Sequence, residues 1–215
     1  QSRSFEYSLR KKNISYIVYG GLSFYQRKEI KDVLAYLRLL INPDDEQAFK
    51  RIINFPARGI GQTTLNKIAV EAKNSSVSDY IFIKDLLKSS EILNNSTKNK
   101  LLDFVIMIES IKNKIEHADV FDITKEVLKQ SGLYNLYKND ESLEGINRIQ
   151  NIEELLNGIK DFVENNEKSQ AYVSSFLQDV ALATDQDNDT NDNNKVSLMS
   201  CLLYTSDAAD ECWSV

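Results

Sequence analysis

Both prolines, Pro43 and Pro56, and four of the seven glycines, Gly20, Gly21, Gly59 and Gly61, fall between residues 20 and 61 of this 215-residue chain. Sharp changes of direction are therefore concentrated there, because these residue types supply the left-handed and fixed-φ conformations that turns require. Everything later carries three glycines and no proline. So long a stretch without chain-breakers favours helix. The chain is also long enough to bury a sizeable core without disulfides or metals holding it together.

Spacing along the chain places the elements. Residues 3–13 read as a short helix and Tyr16-Ile17-Val18-Tyr19 as a strand, β-branched and aromatic with a Gly-Gly stop. Ile30, Val33, Leu34, Leu37, Leu40 and Ile41 recur at threes and fours, which predicts a helix ending before Asn42-Pro43. Asp44 or Asp45 is expected to cap a further short helix turning Phe49, Ile52 and Ile53 inward and stopping at Phe55-Pro56. Leu101, Phe104, Val105, Ile108, Ile111 and Ile115 form a stripe after a Ser96 or Thr97 cap, and residues 121–130 give a helix closed by Gly132. The longest stripe, Leu143, Ile146, Ile149, Ile152, Leu155, Leu156, Ile159, Phe162 and Val163, is read as core. Val173, Phe176, Leu177, Val180 and Ala181 resume the spacing after Ser169, residues 184–194 are expected to be a mobile loop, and Val196-Ser197-Leu198-Met199 reads as a second strand. Two strands thus bracket a helical stretch far longer than an ordinary crossover. The fold class expected is mainly α, a helical insertion within an α/β domain.

Charge is uneven. The net charge of −6 by itself argues against a nucleic-acid partner, yet residues 1–74 carry +6 and residues 75–215 carry −12. A basic amino-terminal third is compatible with an anion-binding face, and equally with ordinary solvated helix surface. The longest apolar run, Tyr16 to Tyr19, is too short to cross a bilayer, so no membrane partner and a cytoplasmic location are expected. Cys201 and Cys212 stand ten residues apart without a C-x-x-C pair, and His117 is the single histidine, which leaves no metal ligand set and no catalytic residues to assign. Asp185, Asp187 and Asp189 have the spacing of a calcium loop, but Thr190 stands where that loop needs glycine and Val196 where it needs a bidentate glutamate. No G-x-x-x-x-G-K-[ST] phosphate loop is present.

The segment Pro56-Ala57-Arg58-Gly59-Ile60-Gly61-Gln62-Thr63-Thr64-Leu65 lies between two expected helices. Two glycines around one apolar residue allow a tight turn, with Ile60 as its anchor in the core and the amides of the next helix start facing outward. Such amides, at the positive end of a helix dipole, can hold an anionic oxygen, with Arg58, Thr63 and Thr64 as further donors. On a duplex this is phosphate binding without base readout. A plain helix–helix turn is the alternative.

These residues carry a family resemblance. Gln1-Ser2-Arg3 with Glu6 and Leu9 resembles motif IV of the UvrD/Rep-type superfamily-1 DNA helicases, Q-S-R-x-x-E-x-x-L. Residues 19–39, YGGLSFYQRKEIKDVLAYLRL, are similar to that family's Y-G-G-x-x-F-x-x-R-x-E-I-K-D-x-x-A-Y-L-R-L signature, and Arg58-Gly59-Ile60-Gly61 to the R-G-I-G turn of its accessory 2B subdomain. Residues 148–155 and 176–182 look like its later helices.

The resemblance implies part of an ATP-dependent helicase moving 3′ to 5′ on single-stranded DNA, with Arg58, Gly59, Ile60 and Gly61 as a duplex contact and Thr63 and Thr64 as neighbours. It implies that residues 1–45 begin the second RecA-like motor domain, residues 46–190 form 2B, and residues 191–200 return to the motor strand. DNA at a single-strand/duplex junction is the implied partner, with repair or replication proteins besides. ATP and Mg²⁺ belong to the intact parent. Residues 201–215 resemble no helicase and are read as a foreign tail. Without a phosphate loop the fragment alone is expected to bind no nucleotide and to be inactive. The competing expectation is a non-catalytic regulatory or protein-docking module of a helicase or recombination helicase–nuclease.

Overall fold

The computed structural model describes residues 23–87, 95–166 and 172–188, the strand residues 16–18 and 196–198, and Phe5, Ser8, Leu9, Lys12 and Ile14. The chain divides into two compact units, one of residues 1–30 and 178–215, the other Lys31–Leu177. In the first, β1 (Tyr16–Val18) pairs in parallel with β2 (Val196–Leu198), Tyr16 opposite Val196 and Val18 opposite Leu198. The two strand signals at opposite ends of the sequence are thus neighbours, and parallel neighbours need a crossover. Here the crossover contains the whole second unit. Of the helix expected over residues 3–13, only Phe5, Ser8, Leu9 and Lys12 are described, the first three of them helical; Tyr19 and Met199 lie outside the described residues.

The helices follow from spacing and caps. α1 (Lys28–Ile41) stops one residue before Asn42-Pro43, with Val33, Tyr36, Leu37 and Leu40 buried. α2 (Glu46–Ile52) starts on Asp45, whose carboxylate accepts from the Ala48 amide at 2.9 Å. α3 (Gln62–Asn74) and α4 (Asp79–Leu86) follow, the latter capped by Ser78. α5 (Asn95–Lys112) buries Leu101, Phe104, Val105, Ile108 and Ile111. α6 (Val120–Ser131) is capped by Asp119 and closed by Gly132 at φ +80°, the left-handed conformation in which glycine is at least cost. α7 (Leu133–Lys138) packs against α6 and against α8 (Leu143–Asn165), and α9 (Val173–Asn188) completes the helices. Phe49, Tyr80 and Phe104 meet ring to ring, with centroids 6.2–6.4 Å apart, tying α2, α4 and α5 into one core.

Four expectations need correction. Ser96 and Thr97 lie inside α5, which begins at Asn95, so neither is its cap. Ile115 falls beyond the end of α5, in the turn that follows. Leu143 and Ile146 continue the α8 stripe but are exposed. Finally, α9 runs on through residues 184–188, where the sequence predicts a loop. That segment lacks apolar residues but also lacks Gly and Pro, and Thr184 Oγ1 donates to the Val180 carbonyl at 2.8 Å within the helix. Residues 189–194 and Ser169 lie outside the described residues.

Candidate nucleic-acid interface

The corner between α2 and α3 is built by residues 54–61. α2 ends in carbonyls that have no partner within their own helix. Arg58 answers them: its Nη1 donates to the carbonyls of Ile52 at 2.7 Å and Ile53 at 3.1 Å, with a longer contact to Pro56 at 3.4 Å. Its Nη2 donates to Tyr36 Oη at 2.7 Å, and that hydroxyl donates onward to the Phe55 carbonyl at 2.8 Å. The guanidinium also stands over the Phe104 ring, 5.0 Å from its centroid. Burial pushes the Tyr36 phenol above its ordinary value, against the pull of Arg58, so the hydroxyl remains a donor. Thus a side chain from α1 and a ring from α5 fix an arginine that caps α2.

Beyond Arg58 the chain reverses at Gly59, whose φ of +66° is one that L side chains rarely adopt. Ile60 is 3% exposed and anchors the turn. Asn54 brackets it, accepting from the Ile60 amide at 3.1 Å and donating to its carbonyl at 2.6 Å. Gly61 then serves as N-cap of α3 at φ −67° and ψ 143°. No side chain caps this helix, whereas α2, α4, α6 and α8 are capped by Asp45, Ser78, Asp119 and Ser142. The Thr64 and Leu65 amides turn back to the Gly61 carbonyl at 3.0 and 3.2 Å. Among the described residues the amides of Gly61, Gln62 and Thr63 have no acceptor, and all three residues are exposed.

Gly61 is informative because its geometry does not demand glycine. A Cβ there would meet nothing closer than Thr63 Oγ1 at 3.7 Å and Thr64 Oγ1 at 4.0 Å. The same distances place both hydroxyls beside the bare corner. The structure therefore brings Gly59, Gly61, Thr63 and Thr64 to one surface, buries Ile60 beneath it, and turns Arg58 inward to hold it. Sequence reading missed three contributors: Asn54, Phe104 and Lys100, whose Nζ donates to the Gly59 carbonyl at 2.9 Å from 41 residues away. Asn54 had a signal, an amide side chain just past a helix end. Lys100 had none.

A UvrD-like helicase C-terminal domain family matches residues 1–201. The chain belongs to that family. Among its relatives, the ATP-dependent DNA helicase PcrA of Bacillus subtilis (strain 168) is 39% identical over 189 residues, which are 87% of this chain and 25% of that protein. PcrA of Staphylococcus epidermidis (strain ATCC 12228 / FDA PCI 1200) is 35% identical over 202 residues, 93% of this chain and 27% of the relative. PcrA of Staphylococcus aureus (strain NCTC 8325 / PS 47) is 34% identical over the same length. This member of the UvrD-like family thus spans about a quarter of the length of the curated relatives it matches. No helix among its described residues is long and apolar enough to cross a membrane.

Proposed function

We propose that this chain is the duplex-gripping portion of an ATP-dependent DNA helicase that moves 3′ to 5′ on single-stranded DNA at a single-strand/duplex junction. In this reading residues 1–45 begin the second motor domain, residues 46–190 form the accessory 2B subdomain, and residues 191–200 return to the motor strand. Membership of the UvrD-like family supports the helicase parent. The observation that carries the DNA contact is the uncapped start of α3, where the exposed amides of Gly61, Gln62 and Thr63 have no acceptor among the described residues.

Phosphate oxygens suit such a corner. The amides converge where the dipole of α3 puts about half a positive charge, and a glycine surface lets a backbone approach closely. The Thr63 and Thr64 hydroxyls add neutral donors at the rim. Arg58 acts through the corner by capping α2 and pinning Tyr36 and Phe104, so its charge lies behind the surface. None of these groups reads a base, as a motor that must act on any sequence requires.

ATP and Mg²⁺ belong to the longer parent in this reading. The chain carries no G-x-x-x-x-G-K-[ST] loop, and no three His, Cys, Asp or Glu side chains converge among the described residues, so no step is assigned to either group here. Exposed Leu143 and Ile146, at the start of α8, support a second reading as a protein-docking module.

Binding of a fluorescein-labelled duplex of mixed sequence, followed by anisotropy at rising salt, separates the two. Phosphate grip predicts an affinity that falls between 50 and 200 mM salt, about fourfold for each phosphate neutralised by a lysine or arginine. Absent or salt-independent binding favours the docking module.

A further inference from the structure

We propose that Lys100, which no part of the R-G-I-G motif contains, is the cation that the corner presents to a nucleic-acid phosphate. This rests on the duplex-contact reading above and adds to it a charge supplied by a different helix. The motif's own cation is committed inward: Arg58 Nη1 and Nη2 are bonded to Ile52, Ile53 and Tyr36. Lys100 reaches across from α5 and sets its ammonium on the Gly59 carbonyl at 2.9 Å. Its Nζ stands 3.0 Å from where a Gly59 Cβ would be, so the bare glycine surface is also the seat of the lysine. An alanine at that position would crowd the ammonium as well as strain the backbone.

An ammonium has three N–H donors, and among the described residues Lys100 uses one of them. Lys100 and Arg58 share an open cleft of about 300 Å³ with Asp103, Phe104, Met107 and Gln130. The lysine therefore lines a cleft and bonds to Gly59 of the corner, half-buried, its charge held by a carbonyl. A compact point charge so placed attracts a phosphate oxygen without base preference. Lys100, seated on Gly59, supplies the full positive charge that makes the contact salt-dependent.

The test uses the 215-residue chain, the same labelled duplex, and the variants Lys100→Met and Lys100→Arg, with thermal unfolding read in parallel. Loss of the charge is expected to weaken binding about 3- to 10-fold at low salt and to make the log–log salt slope shallower by about one. Lys100→Arg should restore the slope. A wild-type slope in Lys100→Met, with binding still weakened by Gly61→Asp, would overturn the assignment of Lys100 while leaving the corner intact. If the wild-type chain binds no duplex, the corner reading fails and the role of Lys100 fails with it.

Discussion

The Asn54 side chain holds Ile60 by both ends of its peptide unit pair, donating to the Ile60 carbonyl at 2.6 Å and accepting from the Ile60 amide at 3.1 Å. One amide side chain thus closes the loop whose apex is Gly59. Asn54→Ala strands both backbone groups in a half-buried setting and is expected to cost about 2 kcal/mol. The urea midpoint reads this, and the same variant should weaken duplex binding because the corner loses its shape.

Arg58 makes a different demand, for a planar fork. Arg58→Lys keeps the charge but cannot reach the Ile52 and Ile53 carbonyls and Tyr36 Oη together. We expect a loss of about 2 kcal/mol in chemical denaturation. If charge alone mattered at this position, lysine would substitute without penalty.

Two glycines of α8 should respond with opposite signs. A Cβ on Gly145 would collide with the Asp140 carbonyl oxygen, so the loop before α8 must move, and Gly145→Ala is expected to cost about 2 kcal/mol or more. A Cβ on Gly158 meets nothing within 4 Å, so Gly158→Ala should stabilise by about 0.5–1 kcal/mol through helix propensity. Thermal unfolding of the pair checks both.

Glu109 joins α4 to α5. It accepts from Tyr80 Oη at 2.7 Å and from Lys84 Nζ at 2.8 Å. Burial alone would raise its pKa, but the bonds from Lys84 and Tyr80 outweigh it and hold the carboxyl below its ordinary value. A carboxylate with a depressed folded pKa stabilises the fold at neutral pH and loses that contribution as pH falls through the depressed value. The stability gap between wild type and Glu109→Gln should therefore be constant above about pH 5 and shrink below it. A gap independent of pH down to about 3 would show that the ionised form is not favoured.

Much of this was legible in the sequence where signals were local. The α1 stripe, the Asn42-Pro43 stop, the Asp45 cap and the Gly132 stop each depend on residues within a few positions, and each appears as expected. At Leu143 and Ile146 periodicity named a face but could not say whether anything covers it. At residues 184–188 polarity suggests a break, but helix needs no apolar residue where its backbone bonds are satisfied. At the corner, the motif located Gly59, Ile60 and Gly61, but the direction of Arg58 depends on Tyr36 and Phe104, each more than twenty residues away, and Lys100 approaches Gly59 from 41 residues away.

The central claim is that bare amides at the start of α3 receive phosphate. Gly61→Asp tests it most directly, because the position has room for a Cβ and an aspartate N-cap would offer its own carboxylate to the Thr63 amide. Duplex affinity and thermal midpoint should be measured together on this variant. The account predicts a fold stabilised by a few tenths of a kcal/mol and a duplex affinity reduced at least about tenfold, since one donor is occupied and a negative charge faces the phosphate. An affinity equal to wild type in a folded Gly61→Asp chain would contradict it.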